Sequence, residues 1–417
     1  MASELLQVFL NSTKAGILLR NGAQLSFEYD AEYLATHLSL PLSRHLPLKQ
    51  GAFTDDDTRA FFANLLPEGA IRTQIARQVG VSAENVYGLL EAIGGDCAGA
   101  ISVWHPDTTS ENTGSYRRIQ QDVLGKELNA LPTHPFLAGE EGVRLSLAGA
   151  QNKLPIFFDG REFFIPEGNF PSSHILKTAI LQLDNSVVNE AFCMNLAARV
   201  GLPVPKSTAV LIGDQLVFMI ERYDRQIENG TITRLHQEDF CQALGIPPEM
   251  KYEKEGGPGF KECFRLVEEW SGEPLLDIQN MLNWSLFNFI IGNADAHGKN
   301  VSFLYAEGHA RVAPFYDIIS TAVYERVNNK FAMKMGGQKD PRYLQGSDLR
   351  HFATDIGVDI RTVKSALADL LKRIEVESVK LSHEYNELFE KPAILADIRN
   401  IITQRSGKAK ALVALSH

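Results

Sequence analysis

The stretch Gly292-Asn-Ala-Asp295-Ala-His297-Gly-Lys299-Asn300 decides the fold class of this chain of 417 residues. It follows an apolar segment, residues 282–291, which predicts a loop that emerges from a buried helix. Two short β segments come next, at residues 301–305 and 310–313, separated by a Glu-Gly-His turn. Such a hairpin returns the chain to its starting point. We therefore expect Asp317, which follows the hairpin, to lie close to Asn300.

These residues have the chemistry that phosphoryl transfer requires. The reaction needs a carboxylate that orients or deprotonates the attacking hydroxyl, and oxygen ligands for Mg²⁺. Asp295 and Asn300 are five positions apart, as are the catalytic aspartate and the metal-binding asparagine of protein kinases. Asp317 corresponds to the metal-binding aspartate of the kinase Asp-Phe-Gly motif, although Ile318 replaces the glycine. Asp295 as a helix-end residue and Asp317 as a turn residue are the simpler alternatives for each alone, and their combination with Asn300 favours the metal site.

Two further side chains lie inside the same loop. Lys299 is placed to neutralise a transferring phosphoryl group. His297 is a candidate for nucleotide contact, with a packed core histidine as the alternative. We therefore predict Asp295 and Lys299 as catalytic residues.

A second set of candidates precedes the loop. A loop of mainly small residues, Ser146-Leu-Ala148-Gly149-Ala150-Gln151-Asn152-Lys153, leads into a strand, and its backbone N–H groups can approach phosphates closely. It is not a Walker A loop, and a plain turn is the alternative. Lys177 ends the apolar strand His174-Ile-Leu-Lys177 and is predicted to hold phosphates, with Glu190 on the following helix as its ion-pair partner. A solvated edge lysine and a surface glutamate are the alternatives.

The order of elements predicts an α+β chain with a protein-kinase-like two-lobe fold. Residues 1–105 are predicted to form an N-terminal β-rich subdomain with helices, and the polar segment 106–141 a linker. Residues 142–224 are predicted to form the kinase-like N-lobe, ending in a hinge at Glu221, Arg222 and Tyr223 whose backbone groups read adenine. Residues 225–417 are predicted to form an all-helical C-lobe, interrupted by the hairpin and carrying the catalytic loop.

Composition excludes several classes of protein. The formal net charge is −10, whereas a protein that mainly grips nucleic-acid backbones is usually basic. The four cysteines show no CxxC spacing, which argues against a zinc site or a disulfide framework and favours the cytoplasm. No secretory signal is visible, and every apolar run is too short to span a membrane.

The quoted motifs resemble those of the HipA family of toxin kinases. The resemblance covers most of the chain and includes, besides the loops above, the motifs Leu65-Leu-Pro-Glu-Gly69, Gly94-Gly-Asp-Cys-Ala-Gly99, Glu221-Arg-Tyr-Asp-Arg225, His236-Gln-Glu-Asp-Phe240 and Phe315-Tyr-Asp-Ile318.

The resemblance implies an ATP- and Mg²⁺-dependent serine/threonine protein kinase. Asp295 would be the catalytic base, Asn300 and Asp317 the metal ligands, and Ser146 the site of autophosphorylation. It also implies a dimeric helix-turn-helix antitoxin like HipB, and an aminoacyl-tRNA synthetase as substrate, with glutamate–tRNA ligase as the leading candidate. The basic residues of the C-terminal helices form only a modest cluster, so we expect contact with operator DNA mainly through the antitoxin.

Two other functions are compatible with these residues. A small-molecule kinase uses the same phosphate machinery. A catalytically idle co-repressor would bind only nucleotide and antitoxin. The set Lys177, Asp295, Asn300 and Asp317 argues against an idle protein, because an idle site has no physical need for all four.

Overall fold

The computed structural model describes residues 4–37, 39–107, 114–228, 231–306 and 308–414. Within it the chain divides into two units. The first unit contains residues 1–178, 210–249 and 304–308, and the second contains residues 179–209, 250–303 and 309–417. Among the described helices none is long and apolar enough to cross a membrane.

The strands, in chain order, are β1 (Glu4–Leu10), β2 (Thr13–Asn21), β3 (Gln24–Tyr29), β4 (Ile101–Trp104), β5 (Ser115–Ile119), β6 (Lys153–Phe158), β7 (Phe163–Glu167), β8 (His174–Lys177), β9 (Ser207–Ile212), β10 (Gln215–Glu221), β11 (Arg225–Glu228), β12 (Thr231–Arg234), β13 (His236–Asp239), β14 (Ser302–Ala306) and β15 (His309–Val312).

The helices are α1 (Ala31–Leu34), α2 (Asp55–Phe62), α3 (Gly69–Gln78), α4 (Val86–Ile93), α5 (Gln121–Ala130), α6 (Ser186–Arg199), α7 (Phe240–Leu244), α8 (Phe260–Trp270), α9 (Pro274–Ile291), α10 (Gly346–Asp355), α11 (Ile360–Leu388) and α12 (Ile394–Ala414). The combination of sheets with a long helical segment confirms the predicted α+β class.

Two sheets form the framework of the first unit. The four-stranded sheet has the order β3-β2-β1-β4, and its alternating buried residues, such as Leu6 and Val8, explain why the sequence predicted strands there. In the second sheet the order is β5-β7-β6-β8-β10, with Val210 to Ile212 of β9 at its edge. One continuous apolar core lies beneath both sheets.

The segment 106–141 contains regular structure that the sequence did not predict. Residues 108–113 lie outside the described residues. Beyond them, β5 pairs antiparallel with β7, and α5 buries Leu124 and Leu128. The polar side chains of β5 misled the prediction, because an edge strand with its outer face in solvent reads as a loop.

A buried ionic cluster ties the first unit together. Asp96 accepts from Arg222 at 3.0 Å and from Arg225 at 2.7 Å, and Asp224 accepts from Arg222 at 2.8 Å. These four side chains are at most 4% exposed. Burial would raise the pKa of Asp96, but the guanidinium groups of Arg225, Arg222 and Arg234 hold that pKa below its ordinary value.

The second unit is built around α9. Pro274 starts this helix and Gly292 ends it in the left-handed conformation, with φ +74°. The helix packs against α8, α11 and α12, and Trp284 of α9 stacks on Phe315 with ring centroids 5.5 Å apart. The residues that follow Gly292 therefore leave from a fixed, buried support.

The cluster around Asp96 generates a stability prediction. Asp96→Asn removes the buried negative charge shared by Arg222, Arg225 and Arg234, and leaves cations uncompensated. We expect the free energy of unfolding to fall by about 3 to 5 kcal/mol, measured by urea denaturation at pH 7. The control Asp214→Asn, at an exposed hairpin turn, should change it by less than about 0.5 kcal/mol. Equal values for the two variants would contradict the assigned role.

Candidate active site

The catalytic-loop candidates all lie in the second unit. Asn293 fixes the loop: its Oδ1 accepts from the backbone N–H of Asp295 at 2.9 Å, and its Nδ2 donates to Asn288 Oδ1 at 2.9 Å. The N–H of Ala294 donates to Thr321 Oγ1 at 2.7 Å. The loop conformation is thus held by buried side chains of α9 and of the segment that follows Asp317.

Asp295 is half-buried and lines a cavity of about 400 Å³ within the second unit. The hydroxyl of Tyr252 donates to Asp295 Oδ1 at 2.5 Å. The ring of Tyr252 meets His297 edge to face, with centroids 5.0 Å apart. The carboxylate predicted as the base is therefore accessible from the cavity and already bonded to a hydroxyl group there.

The other loop residues are buried. His297, Lys299 and Asn300 are each at most 6% exposed, and a 3₁₀ turn spans Gly298–Asn300. Asn300 Oδ1 has no hydrogen-bond partner among the described residues. A buried amide oxygen without a donor is costly, and it fits a hard-metal ligand.

The hairpin does return the chain to the loop, as the sequence predicted. The N–H of Ala313 donates to the carbonyl of Ser302 at 2.8 Å. The hydroxyl of Tyr316 donates to the carbonyl of Lys299 at 2.6 Å and bonds Ser302 Oγ at 2.9 Å. These bonds attach the side chain of Tyr316, the neighbour of Asp317, to the chain segment that carries Asn300. That Asp317 itself meets Asn300 stays a prediction.

Asp317 has a left-handed backbone conformation, with φ +55°. Aspartate and asparagine tolerate this conformation better than most residues, but it still carries a small energetic cost. The next residues compensate: Ser320 Oγ donates to the carbonyl of Ile291, and Asn189 of α6 bonds both the N–H and the carbonyl of Ser320. The chain just after Asp317 is thus fixed to α6 and to the end of α9.

The phosphate-loop candidates lie in the first unit. Gly149 has φ +110°, a backbone conformation that favours glycine, and a Cβ there would also displace the Lys153 ammonium, 2.7 Å away. The Lys153 ammonium donates to the carbonyl of Ala148. The loop is anchored at Gly149, whose carbonyl accepts from the N–H of Glu68 at 3.1 Å, and at Gln151, whose Nε2 donates to the carbonyl of Thr178 at 2.9 Å. The bond from Glu68 connects the motif Leu65-Leu-Pro-Glu-Gly69 directly to this loop.

Lys153 and Lys177 lie directly opposite each other on β6 and β8. Both are at most 7% exposed. Two like charges at paired positions of neighbouring strands repel each other, and an anion held between them would remove that penalty. The pair is therefore suited to phosphate groups.

Three predicted site residues, Ser146, Arg222 and Glu190, are buried in the structure. Ser146 is fully buried, and its hydroxyl donates to the carbonyl of Leu65 at 2.9 Å. Arg222 uses its side chain in the Asp96 cluster and its N–H in a bond to Ser173, so a hinge role would fall on other backbone groups. Glu190 is buried on α6, and its pairing with Lys177 stays a prediction.

The sequence analysis did not single out three residues that shape the site. Tyr252, Asn293 and Asn189 each bond to the catalytic loop or to its support. Only Asn293 had a detectable signal, because it is a polar residue between Gly292 and Ala294, two positions before Asp295. Tyr252 and Asn189 are distant in sequence and belong to no recognisable motif.

The chain is similar to known proteins over nearly its whole length. Residues 145–377 match the family described as HipA-like C-terminal domain, and residues 6–104 match the HipA N-terminal domain. The protein Y4mE of Sinorhizobium fredii is 38% identical over 94% of each chain. The serine/threonine-protein kinase toxin HipA of Shewanella oneidensis is 33% identical over 84% of each chain.

A solved structure agrees with these relatives. HipA from the Shewanella oneidensis complex of HipA, HipB and operator DNA superposes with a TM-score of 0.86 and 28% identity, covering 99% of this chain and 100% of the other. The chain therefore belongs to the HipA family of serine/threonine-protein kinase toxins and has its kinase-like fold.

Proposed function

We propose that this chain transfers the γ-phosphoryl group of ATP to a serine or threonine of a protein and acts as the toxin of a toxin–antitoxin pair. The observation that carries the proposal is the state of the catalytic loop. Asp295 is fixed through its backbone while its carboxylate faces a cavity, and Asn300 presents a buried oxygen that lacks a partner among the described residues. The loop thus combines an accessible base with a prepared metal ligand.

The residues present fit a magnesium ion. Asn300 Oδ1 and the Asp317 carboxylate are the hard oxygen ligands that Mg²⁺ prefers. When bound, the ion neutralises charge on the ATP phosphates. Asp295 would accept the proton of the substrate hydroxyl, and the buried Lys299 would stabilise negative charge on the transferred group.

For ATP itself we propose the residues of the first unit. Lys153 and Lys177 would neutralise the phosphates, and the backbone from Ala148 to Asn152 would approach them closely because Gly149 has no side chain. Glu221 and Tyr223 would contribute backbone groups toward adenine. His297 stays a separate candidate for nucleotide contact.

The proposed partners of this chain are inferred from those of a relative. The solved Shewanella oneidensis complex contains HipA, HipB and operator DNA, and we propose a comparable helix-turn-helix antitoxin dimer for this chain. Because the formal net charge is −10, we expect operator DNA to be bound mainly through that antitoxin. As the protein substrate we propose an aminoacyl-tRNA synthetase, with glutamate–tRNA ligase as the first to test, and a cytoplasmic location.

The role of Asp295 is tested by Asp295→Asn. The amide retains an oxygen that can accept the Tyr252 hydroxyl bond, so we expect the fold and nucleotide binding to persist. Phosphoryl transfer should fall by about a hundredfold or more, because the amide cannot take a proton. The measurement is phosphate incorporation into glutamate–tRNA ligase and into extract proteins, with Asp397→Asn on the exposed face of α12 as control. A variant as active as the parent would exclude Asp295 as the base.

The metal site is tested by Asp317→Asn. Asparagine tolerates φ +55°, whereas alanine would add backbone strain to the effect of the lost charge. Titration with ATP by calorimetry, with and without Mg²⁺, should show that the affinity gained from Mg²⁺ drops by about tenfold or more. Asp369→Asn, an exposed residue of α11, serves as the control. An unchanged Mg²⁺ dependence in Asp317→Asn would contradict the assignment.

Autophosphorylation of Ser146 is the third part of the proposal. Its hydroxyl is buried and bonded to Leu65, so a phosphate there requires the loop from Ala148 to Lys153 to leave its present position. Phosphorylation would then limit the toxin's own activity.

The test compares Ser146→Asp with Ser146→Ala. The aspartate adds a buried charge beside the phosphate loop, and we expect Mg·ATP affinity to fall by at least about tenfold. The alanine removes only one hydrogen bond and should lower the affinity much less. Mass spectrometry after incubation with Mg·ATP shows whether the natural serine is modified. If Ser146 stays unmodified, or if the aspartate variant binds Mg·ATP normally, this part of the proposal is wrong.

A further inference from the structure

The bonds of the catalytic loop fix the backbone of Asp295, but a backbone bond does not set the direction of a carboxylate. Asn293 Oδ1 accepts from the N–H of Asp295 at 2.9 Å, which leaves rotation about the two side-chain bonds. A general base must lie within hydrogen-bond reach of the proton that it removes, and a misplacement of about 1 Å can lower the rate by about a hundredfold. The direction of the Asp295 carboxylate therefore needs a contact of its own.

The hydroxyl of Tyr252 makes such a contact. It donates to Asp295 Oδ1 at 2.5 Å, and the tyrosine ring lies edge to face against His297, with centroids 5.0 Å apart. Both Tyr252 and Asp295 are half-buried and line the same cavity. Because an ionised carboxylate has two oxygens and about four lone pairs, it can hold the Tyr252 hydroxyl and still accept the hydroxyl of a substrate.

Tyr252 is itself held through its backbone. Its carbonyl accepts from the N–H of Glu255 at 2.9 Å and from the N–H of Gly257 at 3.0 Å. These bonds close a tight turn in which a short 3₁₀ helix spans Glu253–Glu255, and Gly256 ends that helix in the left-handed conformation, with φ +98°. The tyrosine side chain therefore starts from a defined backbone position.

Glu253, the next residue, attaches Tyr252 to the wall of the cavity. We call residues 328–339 the wall loop, because several of them line the cavity. The N–H of Glu253 donates to the carbonyl of Ala332 at 3.4 Å. Its carboxylate accepts from the backbone N–H of Lys334 at 2.5 Å and pairs with the Lys334 ammonium at 3.0 Å. A chain of contacts therefore runs from the wall loop through Glu253 and Tyr252 to the candidate base.

From these contacts we infer that Tyr252 is a positioning residue, which orients the Asp295 carboxylate for phosphoryl transfer, and that the wall loop keeps Tyr252 in place through Glu253. The inference rests on the proposed function and deepens it, because it names the group that makes the base effective. A base that is oriented by a third group is a recurrent arrangement in enzymes that transfer groups. Tyr252 then acts on the transfer step and not on the binding of ATP or of the acceptor.

The experiment uses the full chain and the variant Tyr252→Phe, which keeps the ring against His297 and removes only the hydroxyl. The acceptor is glutamate–tRNA ligase or, if the parent does not label it, the purified form of the extract protein that the parent labels most strongly. We expect kcat and the rate of a single turnover to fall by about tenfold. The KM values for ATP and for the acceptor should change by less than about twofold, because neither substrate loses a contact.

Controls and a second variant complete the set. Tyr343 is exposed, lies in the same unit and does not line the cavity, so Tyr343→Phe should keep the parental kcat. Glu253→Ala leaves the tyrosine in place but removes the ion pair with Lys334, and we expect kcat to fall by about threefold or more at unchanged KM. Glu255→Ala, at the exposed neighbour that pairs with Lys254, should have no effect. Mg·ATP affinity, measured by calorimetry, shows that each variant is folded.

The outcomes separate this inference from the proposed function. If the parent labels no protein, the proposed function itself fails. If the parent is active and Tyr252→Phe keeps its kcat, or if Tyr343→Phe loses as much, the inference is wrong. It is also wrong if Tyr252→Phe raises kcat or raises ATP hydrolysis without an acceptor, because Tyr252 would then compete with the acceptor for Asp295. If Tyr252→Phe lost Mg·ATP binding, Glu253→Ala decides, and a kcat equal to that of Glu255→Ala overturns the inference.

Discussion

The buried interaction between Asp96 and its arginines is the constraint on which the first unit depends. Asp96 lies in the turn between α4 and β4, whereas Arg222 and Arg225 follow the end of β10. A buried carboxylate and buried guanidinium groups are tolerated only when each satisfies the others. The four-stranded sheet and the kinase-like sheet are therefore fixed to each other within one unit. Any conformation that separated them would leave several charges uncompensated in an apolar core.

This cluster also explains two sequence motifs whose purpose was not visible in the sequence. Gly94-Gly-Asp-Cys-Ala-Gly99 supplies Asp96, the carbonyl groups of Cys97 and Gly99, and the N–H of Gly99. Glu221-Arg-Tyr-Asp-Arg225 supplies Arg222, Asp224 and Arg225. The second motif was interpreted as a nucleotide hinge, by position. The side chains of Arg222, Asp224 and Arg225 serve the fold, so a contact with adenine would fall on other groups of the motif.

Local patterns allowed much of the fold and the centre of the candidate site to be predicted. The sequence analysis predicted the β-rich start of the chain, where β1 to β3 lie, and a helix that carries Glu190, which is α6. The two short β segments after Asn300 and the turn between them predicted the hairpin of β14 and β15. The site residues that the sequence analysis missed depend on contacts between residues that are distant in the sequence. Tyr252 lies 43 positions before Asp295, and Asn189 lies 131 before Ser320. No local rule connects such pairs, because only the packed core brings them together.

The net charge of the chain predicts how it meets long polyanions, but it does not predict where the chain binds single phosphate groups. A formal net charge of −10 describes the field at a distance, which governs encounters with long polyanions. Phosphate groups of one nucleotide are bound at short range, where a few buried cations outweigh the average. Lys153 and Lys177 lie opposite each other on β6 and β8. An acidic protein can therefore handle phosphate at sites that its overall charge conceals, because the fold concentrates scattered lysines that the sequence leaves far apart.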